Sequence, residues 1–192
     1  MRTAAVVLAA GGGRRYGMPK ALVEYEGSLL VERAVATAGA VCDPVLVVLG
    51  ARAVDVWRSA RLANAVVLAN KDWESGMASS LRTGLDGLRG FPGRVDAALV
   101  TLVDMPGMTP EALRAVAAHA APDALATATY DGVRGHPVLI GRDHWAGVAE
   151  TATGDEGARR YLAAHDVVEV DCTGLADPVD LDVPPPGVAS AP

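Results

Sequence analysis

Short runs of continuous apolar residues, separated by helix-like patterns, constrain the fold of this chain more than any other feature of its sequence. The runs occupy residues 4–8, 45–49, 65–68 and 97–103, and we expect a further strand over residues 167–170. Unbroken runs of this length are typical of strands covered on both faces, as in a parallel sheet, because half-exposed strands alternate apolar and polar residues. Two further strand-like segments, 127–130 and 137–140, are joined through the turn-forming residues 131–135.

Helical patterns lie between these runs. Apolar residues recur at helical spacing over residues 77–88, and residues 109–111 (Thr-Pro-Glu) carry a capping residue, a first-turn proline and a first-turn acid. We expect Ser28 to cap a helix over residues 29–40, and a last helix over residues 155–164. The alternation of strands and helices predicts a three-layer α/β/α, Rossmann-like fold with a mostly parallel central sheet.

The length and composition fit a single domain. The chain has 192 residues, and 51% of them are apolar, which is enough for a substantial core. The sequence contains no internal repeat and no linker that would separate a second domain. We expect one domain over residues 1–183, followed by a disordered, proline-rich tail over residues 184–192.

The charge balance and the apolar pattern exclude several partners. The net charge of −6 argues against nonspecific binding to nucleic acid or to an anionic membrane. No stretch approaches the roughly 18 apolar residues of a membrane helix, and the N-terminus lacks a signal-peptide pattern. Cys42 and Cys172 are far apart and in no metal-like spacing, so we expect inert, partly buried thiols. We therefore expect a soluble, cytoplasmic protein.

A glycine-rich, cationic segment follows the first apolar run. Three consecutive glycines, residues 11–13, are followed by Arg14, Arg15 and Lys20. Backbone N–H donors combined with fixed positive charge are what a polyphosphate requires. The alternative is a flexible turn with solvated arginines. Because the chain is acidic overall, this local group of cations favours a small anionic ligand.

The segment matches neither of the two common glycine motifs for phosphates. Tyr16 stands where the dinucleotide fingerprint requires its third glycine. The P-loop pattern is absent because Met18 and Pro19 separate Gly17 from Lys20, and neither Ser nor Thr follows the lysine. The sequence therefore indicates a different kind of strand-to-loop phosphate site.

Asp104 directly follows the apolar run 97–103. Ligands of open α/β sheets bind outside the carboxyl ends of the strands, so we expect Asp104 at the same edge as the glycine loop. A carboxylate at this edge can hold a divalent metal against bound phosphates. The alternative is a turn-capping aspartate before Pro106.

Three other segments carry polar side chains suited to ligand contacts. Asn70 offers a donor and an acceptor, and Ser79 and Ser80 lie near a helix start, which suits a nucleobase or a phosphate. An Asx turn and an ordinary helix entry are the alternatives. His136 either contacts an anionic substrate or lies in a loop without a role. Complementarity to a helix dipole explains Asp155 at a helix start.

Some kinds of chemistry find no support in the sequence. It contains no nucleophile elbow, no suggested Cys–His pairing and no His-rich metal site. A reaction that needs an activated side-chain nucleophile is therefore poorly supported. Phosphoryl or nucleotidyl transfer matches better, because its catalysis consists largely of positioning and charge stabilisation.

Residues 8–20 (LAAGGGRRYGMPK) resemble the signature LAAGxxxRxGxxK of nucleotidyltransferases with the glycosyltransferase-A-like fold. Four further segments resemble, in order, the molybdenum cofactor cytidylyltransferases and their relatives: residues 70–85, 102–106, 134–138 and 154–159. Residues 9–11 (Ala-Ala-Gly) are similar to the cytidylyl type rather than to the Ala-Gly-Gly start of guanylyltransferases. The sequence departs from the usual pattern at Gly13, often Ser, and at Tyr16, usually Met.

The resemblance implies a Mg²⁺-dependent transfer of CMP from CTP to the phosphate of molybdopterin or its metal-bearing form, with release of pyrophosphate. It implies catalytic roles for Arg15, Lys20 and Asp104. It also implies metal contacts for Asp104 and Asp155, a pterin contact for His136, and a client molybdoenzyme as partner. The nucleotide-binding residues that it implies are Leu8, Ala9, Ala10, Gly11, Gly12, Gly13, Arg15, Lys20, Asn70, Ser75, Gly76, Ser80 and Asp104.

Two alternatives stay open. One is an enzyme of the same superfamily with another base or acceptor, such as a guanylyltransferase or a sugar-phosphate enzyme. Sugar-phosphate enzymes usually have a longer segment between the arginine and the Pro-Lys pair than the one between Arg15 and Lys20. The other is a nucleotide- or pterin-binding carrier without chemistry, which has no need for a clamp on a leaving group.

Overall fold

The computed structural model describes residues 1–182, so the tail expected over residues 184–192 lies outside the described residues. Nine strands are present in the described chain. Their bounds are β1 Thr3–Ala9, β2 Glu24–Tyr25, β3 Ser28–Leu29, β4 Val45–Leu49, β5 Val66–Ala69, β6 Ala97–Leu102, β7 Leu125–Tyr130, β8 Val133–Gly141 and β9 Val168–Asp171.

Six α-helices connect and cover these strands within residues 1–182. Their bounds are α1 Leu30–Gly39, α2 Ala53–Ser59, α3 Met77–Arg89, α4 Pro110–Ala117, α5 Trp145–Thr151 and α6 Arg159–Ala163. Single turns of 3₁₀-helix occur at Lys20–Leu22, Trp73–Ser75 and Arg142–His144. No helix in this part of the chain is both long and apolar enough to span a bilayer.

Seven of the strands form the central sheet, in the order β5-β4-β1-β6-β8-β7-β9. Strand β8 is antiparallel to both of its neighbours, β6 and β7, and the other pairs are parallel. The predicted mostly parallel sheet is confirmed, and so is the predicted hairpin, which forms β7 and β8. Strands β2 and β3 pair separately.

Alternate residues of β1 face opposite sides of the sheet. Ala5 and Val7 belong to a buried cluster with residues of α1, α2 and α4, whereas Val6 and Leu8 pack with residues of α3, α5 and α6. Residues on both faces of β1 are therefore buried, which explains its unbroken apolar run. The predicted three-layer α/β/α fold is confirmed.

Three local expectations are wrong. The N-cap of α1 is Leu29, whose N–H donates to the Glu32 carboxylate at 3.2 Å, so Ser28 does not cap the helix. Helix α6 begins at Arg159 rather than at residue 155, because the preceding residues form turns that include Gly157 with φ 54°. Strand β5 lies at the sheet edge and is partly exposed, although its apolar run predicted a covered strand.

Two other local expectations are confirmed. Thr109 caps α4, since its side-chain oxygen accepts a hydrogen bond from the Ala112 N–H at 3.2 Å. Cys42 and Cys172 are buried free thiols. Burial raises the pKa of the Cys42 thiol to about 11, which keeps it protonated and unreactive at neutral pH.

Candidate active site

The glycine loop leaves the carboxyl end of β1 and closes on itself. The Gly17 N–H donates to the Gly13 carbonyl at 2.8 Å. Gly13 has φ 60°, and a Cβ on it would lie 1.8 Å from the Met18 carbonyl oxygen. Only glycine fits this position, because a side chain would collide with backbone that cannot move aside. The conformation of this loop therefore requires glycine at position 13, where the resembling sequences often have serine.

Lys20 is buried beside the loop and lies between two carboxylates. It is 8% exposed, and its Nζ lies 3.9 Å from Asp104 Oδ2 and 3.7 Å from Asp182 Oδ1. The ammonium also lies 5.2 Å from the centroid of the Tyr16 ring. Within residues 1–182 its Nζ has no hydrogen-bond partner. A buried ammonium with unused donors is suited to an anionic ligand.

Asp104 lies next to the glycine loop because β1 and β6 are parallel neighbours, with Leu8 paired to Leu102. The Asp104 side chain is 25% exposed. Burial raises the pKa of its carboxyl above the usual range, and the Lys20 charge acts in the opposite direction. The expected meeting of the loop and this carboxylate at one sheet edge is confirmed.

The C-terminal segment returns to this edge and adds two carboxylates that the sequence interpretation missed. The Leu181 N–H donates to the Asp104 carbonyl at 2.8 Å, which brings Asp180 and Asp182 to the site. Asp182 Oδ2 pairs with Arg15 at 2.8 Å. Burial, helped by the charges of Asp104 and Asp182, raises the pKa of Asp180. The only sequence signal is the pair of acids spaced by Leu181 before the prolines.

These carboxylates are the side chains best placed to hold a metal. Hard divalent cations prefer oxygen ligands, and Asp104 and Asp182 both lie within 4 Å of Lys20 Nζ. Their charge, with that of Asp180, exceeds the charge of Arg15 and Lys20. Across the described residues, no ready-made group of three or more metal-ligating side chains is present.

The segment after β5 uses the Asn70 amide for internal hydrogen bonds. Asn70 Nδ2 donates to the hydroxyls of Ser79 at 2.8 Å and Ser80 at 3.0 Å. Asn70 Oδ1 accepts from the Asp72 N–H at 2.9 Å, which is the Asx turn considered above. Ser75 Oγ donates to the Asp72 carbonyl. Asn70 therefore orders the two serines at the start of α3, and its nucleotide contact stays a prediction.

Asp155 joins the last loop to the start of α3. Its Oδ1 accepts from the Met77 N–H at 3.1 Å, and the Gly154 carbonyl accepts from the Ala78 N–H at 2.9 Å. A Cβ on Gly76 would lie 2.5 Å from the backbone of Gly154, so the two loops touch directly. Helix capping accounts for one carboxylate oxygen of Asp155. Its metal contact stays a prediction.

His136 lies apart from the glycine loop, on β8. Burial and the Arg159 charge lower the pKa of its imidazole to about 4, so the ring is neutral at physiological pH. Its backbone carbonyl accepts a hydrogen bond from the Tyr130 hydroxyl at 2.9 Å. In the described chain, no carboxylate pairs with Arg159, whereas Arg134 pairs with Glu169 at 2.7 Å.

Two adjoining cavities collect most of the predicted residues. The loop cavity, about 410 Å³, is lined by Leu8, residues 10–16, Lys20, Trp73, Glu74, Gly76, Met77, Ser80, Leu102, Val103, Asp104, Asp155 and Asp182. The hairpin cavity, about 570 Å³, lies against the β7–β8 hairpin and α6, and its walls include His136, Arg159, Leu162 and Asp180. Leu8, Met77, Leu102 and Asp155 line both cavities. Three predicted residues line neither: Ala9, buried in the sheet, Asn70 and Ser75.

Comparison with known proteins gives the family. The family model for the MobA-like NTP transferase domain matches residues 5–170. A curated relative, the nicotine blue oxidoreductase of Paenarthrobacter nicotinovorans, is 36% identical over 189 residues, which is 92% of this chain and 90% of the relative.

Two solved structures support the same assignment. The Mycobacterium sp. strain JC1 homologue of Mycobacterium tuberculosis Rv0371c is 28% identical, with a TM-score of 0.83 over 95% of this chain and 92% of that one. Rv0371c from M. tuberculosis H37Rv, in complex with manganese, is 25% identical, with a TM-score of 0.76 over 95% and 92%. The chain belongs to the MobA-like NTP transferase family.

Proposed function

We propose that this chain is a Mg²⁺-dependent nucleotidyltransferase that transfers CMP from CTP to the phosphate of molybdopterin or its metal-bearing form. Pyrophosphate leaves, and a client molybdoenzyme receives the product. The observation that carries the proposal is the buried Lys20, whose unused donors lie beside the glycine loop and the Asp104 carboxylate. The family assignment and the manganese complex of Rv0371c support a metal-dependent transfer.

The loop cavity suits the triphosphate. Backbone N–H groups of residues 11–13 and the Lys20 ammonium would hold its oxygens. Arg15 pairs with Asp182 at 2.8 Å at an exposed position, so a triphosphate can compete for its guanidinium at little cost. Lys20 and Arg15 would then offset the charge that develops on the leaving pyrophosphate.

Asp104 and Asp182 would hold the metal, because their carboxylates flank Lys20 and suit a hard cation. When bound, Mg²⁺ neutralises phosphate charge and orients the phosphates for in-line displacement. The protein need not supply a strong base, since the second pKa of a phosphate monoester is about 6 and the attacking oxygen is already anionic at pH 7.

The hairpin cavity suits a phosphorylated heterocyclic acceptor. Its walls combine apolar side chains such as Val100, Val138 and Ile140 with the neutral His136 and the cationic Arg159. Apolar walls with few polar groups are typical of sites for flat organic ligands, and a free guanidinium suits an anion. Because the two cavities share a wall, a bound acceptor would lie next to the triphosphate.

The test is a nucleotide panel. We expect purified protein with Mg²⁺ and molybdopterin to release pyrophosphate from CTP at least tenfold faster than from GTP, ATP or UTP. Preference for GTP would place the chain with the guanylyltransferases. Nucleotide binding without pyrophosphate release would support the carrier.

A second candidate function is an oxidoreductase acting on a conjugated heteroaromatic compound. The observation that favours it is the 36% identical relative, which is named for oxidation and reduction of nicotine blue. In this case the loop cavity would bind the pyrophosphate of a reduced nicotinamide dinucleotide, and the hairpin cavity would bind the dye. Consumption of the reduced nicotinamide with nicotine blue, insensitive to Asp104→Asn, would select this function, whereas the transferase requires Asp104.

A further inference from the structure

Trp73 is held in place at the entrance to α3. It opens the 3₁₀ turn Trp73–Ser75 directly after the Asx turn of Asn70. The Ser75 N–H donates to the Asp72 carbonyl at 3.0 Å, and the Gly76 N–H donates to the Trp73 carbonyl at 3.2 Å. These bonds fix the backbone from which the indole projects, so its position does not depend on a free loop.

The indole of Trp73 packs on the backbone of two glycines. A Cβ on Gly12 would lie 3.0 Å from Trp73 Cζ3 and 3.1 Å from Cη2. A Cβ on Gly50, at the end of β4, would lie 2.5 Å from Trp73 Cβ. Gly12 and Gly50 leave the room that the indole fills. Because the backbone packs against the indole on this side, the indole cannot easily move aside for a larger ligand.

The cations that line the loop cavity, Arg14, Arg15 and Lys20, come from the glycine loop and the turn after it, whereas the lining residues of the segment 73–80 include no cation. Arg15, Lys20, Asp104 and Asp182 gather near the loop end and suit phosphates and a metal. The wall formed by residues 73–80 carries Trp73, Glu74 and Ser80. Ser80 Oγ accepts from Asn70 Nδ2 at 3.0 Å and donates to no protein group within residues 1–182, so its proton can be donated into the cavity. A hydroxyl donor beside an aromatic ring suits a nucleobase edge and face.

We propose that Trp73 determines the base selectivity of this site by limiting the loop cavity to a pyrimidine. The inference rests on the proposed nucleotidyltransferase function and deepens it. The indole occupies space next to Gly12 and Gly50 that the second ring of a purine would need. Substitution of Trp73 by a small side chain opens this space without changing the cations or carboxylates of the phosphate end.

The experiment measures nucleotide affinity by calorimetry, independently of turnover. The dissociation constants of CTP, UTP, GTP and ATP are compared, with Mn²⁺ present, for the wild type, Trp73→Ala and Trp73→Leu. Leucine keeps the Cβ and Cγ that lie against Gly50 and guards against unfolding of the alanine variant. Trp57→Ala is the matched control, since Trp57 is 59% exposed and lines neither cavity.

We expect the wild type to bind pyrimidine nucleotides at least tenfold more tightly than purine nucleotides, and Trp73→Ala and Trp73→Leu to reduce this ratio at least tenfold. Trp57→Ala should keep the wild-type ratio. If the Trp73 variants bound all four nucleotides more weakly by the same factor, the inference would be overturned, and Trp73 would only support the glycine loop. Equal wild-type affinity for purines and pyrimidines would overturn it too. Binding of none of the four would overturn the proposed function as well, which is a distinct result.

Discussion

Removing the charge of Asp104 should lower turnover steeply and leave the fold nearly unchanged. Asp104→Asn keeps the shape of the side chain, and Lys20 Nζ lies 3.9 Å from Asp104 and 3.7 Å from Asp182. At an effective dielectric constant of about 20, each carboxylate attracts Lys20 by roughly 4 kcal/mol, so the variant keeps about half of the attraction. The loss is offset because the variant also removes a buried carboxyl whose pKa is raised.

We therefore expect the free energy of unfolding of Asp104→Asn to change by about 1 kcal/mol at most, or about 2–4 °C in melting temperature. Turnover should fall about 10³-fold, equivalent to about 4 kcal/mol of activation free energy, because the metal loses an anionic ligand. Initial rates of pyrophosphate release at saturating CTP, acceptor and Mg²⁺ measure the fall in turnover, and melting followed by circular dichroism measures the change in stability.

The exposed Asp166 provides the matched control, since it lines neither cavity, and Asp166→Asn should keep wild-type turnover. Retention of more than a tenth of wild-type turnover by Asp104→Asn would refute the metal role. A fall of more than about 8 °C in its melting temperature would refute the charge argument.

Three further predictions concern single side chains. Lys20→Met should lower kcat/KM for the triphosphate about 100-fold in initial-rate assays, whereas Lys71→Met should keep the wild-type kcat/KM. Equal kcat/KM values for Lys20→Met and the wild type would contradict the phosphate role. Arg159→Ala should raise KM for the acceptor about tenfold and leave the nucleotide affinity, measured by calorimetry, unchanged. Arg160→Ala should keep the wild-type KM and the wild-type nucleotide affinity. Weaker nucleotide binding by Arg159→Ala would contradict a role in acceptor binding. Since the pKa of His136 is lowered from 6.5 to about 4, the unfolded chain takes up its proton first, and stability falls as pH drops from 6.5 to 4. Urea unfolding should show that His136→Gln loses less unfolding free energy than the wild type between pH 7 and pH 5.

The apolar runs predicted the sheet well because a strand buried on both faces leaves an unbroken signal in the sequence. Runs 4–8 and 45–49 correspond to β1 and β4 within one residue at each end. The glycine loop and Asp104 were predicted to meet because both follow strands whose carboxyl ends share an edge. The errors fell where neighbours decide the structure, as at Ser28, where the next residue, Leu29, is the N-cap of α1 and its N–H donates to the Glu32 carboxylate.

Other features of the site depend on contacts between distant segments. Asp180 and Asp182 reach the site because the Leu181 N–H donates a hydrogen bond to the Asp104 carbonyl. The periodicity of the sequence does not predict such a hydrogen bond between distant segments. The Asn70 amide looked available for a ligand, but its donors are used by Ser79 and Ser80. Spacing along the chain shows which polar groups are near one another and leaves open which of them remain free.

The antiparallel strand β8 has a consequence for how this scaffold can diversify. The β7–β8 hairpin (residues 125–141) supplies walls of the hairpin cavity, including His136, and contributes no residue to the loop cavity. Under the proposed function, sequence change in the hairpin can therefore alter the second reactant while the contacts that bind the phosphates stay unchanged. Such independent variation would let relatives that share the same phosphate-binding half carry out different chemistry on different organic substrates.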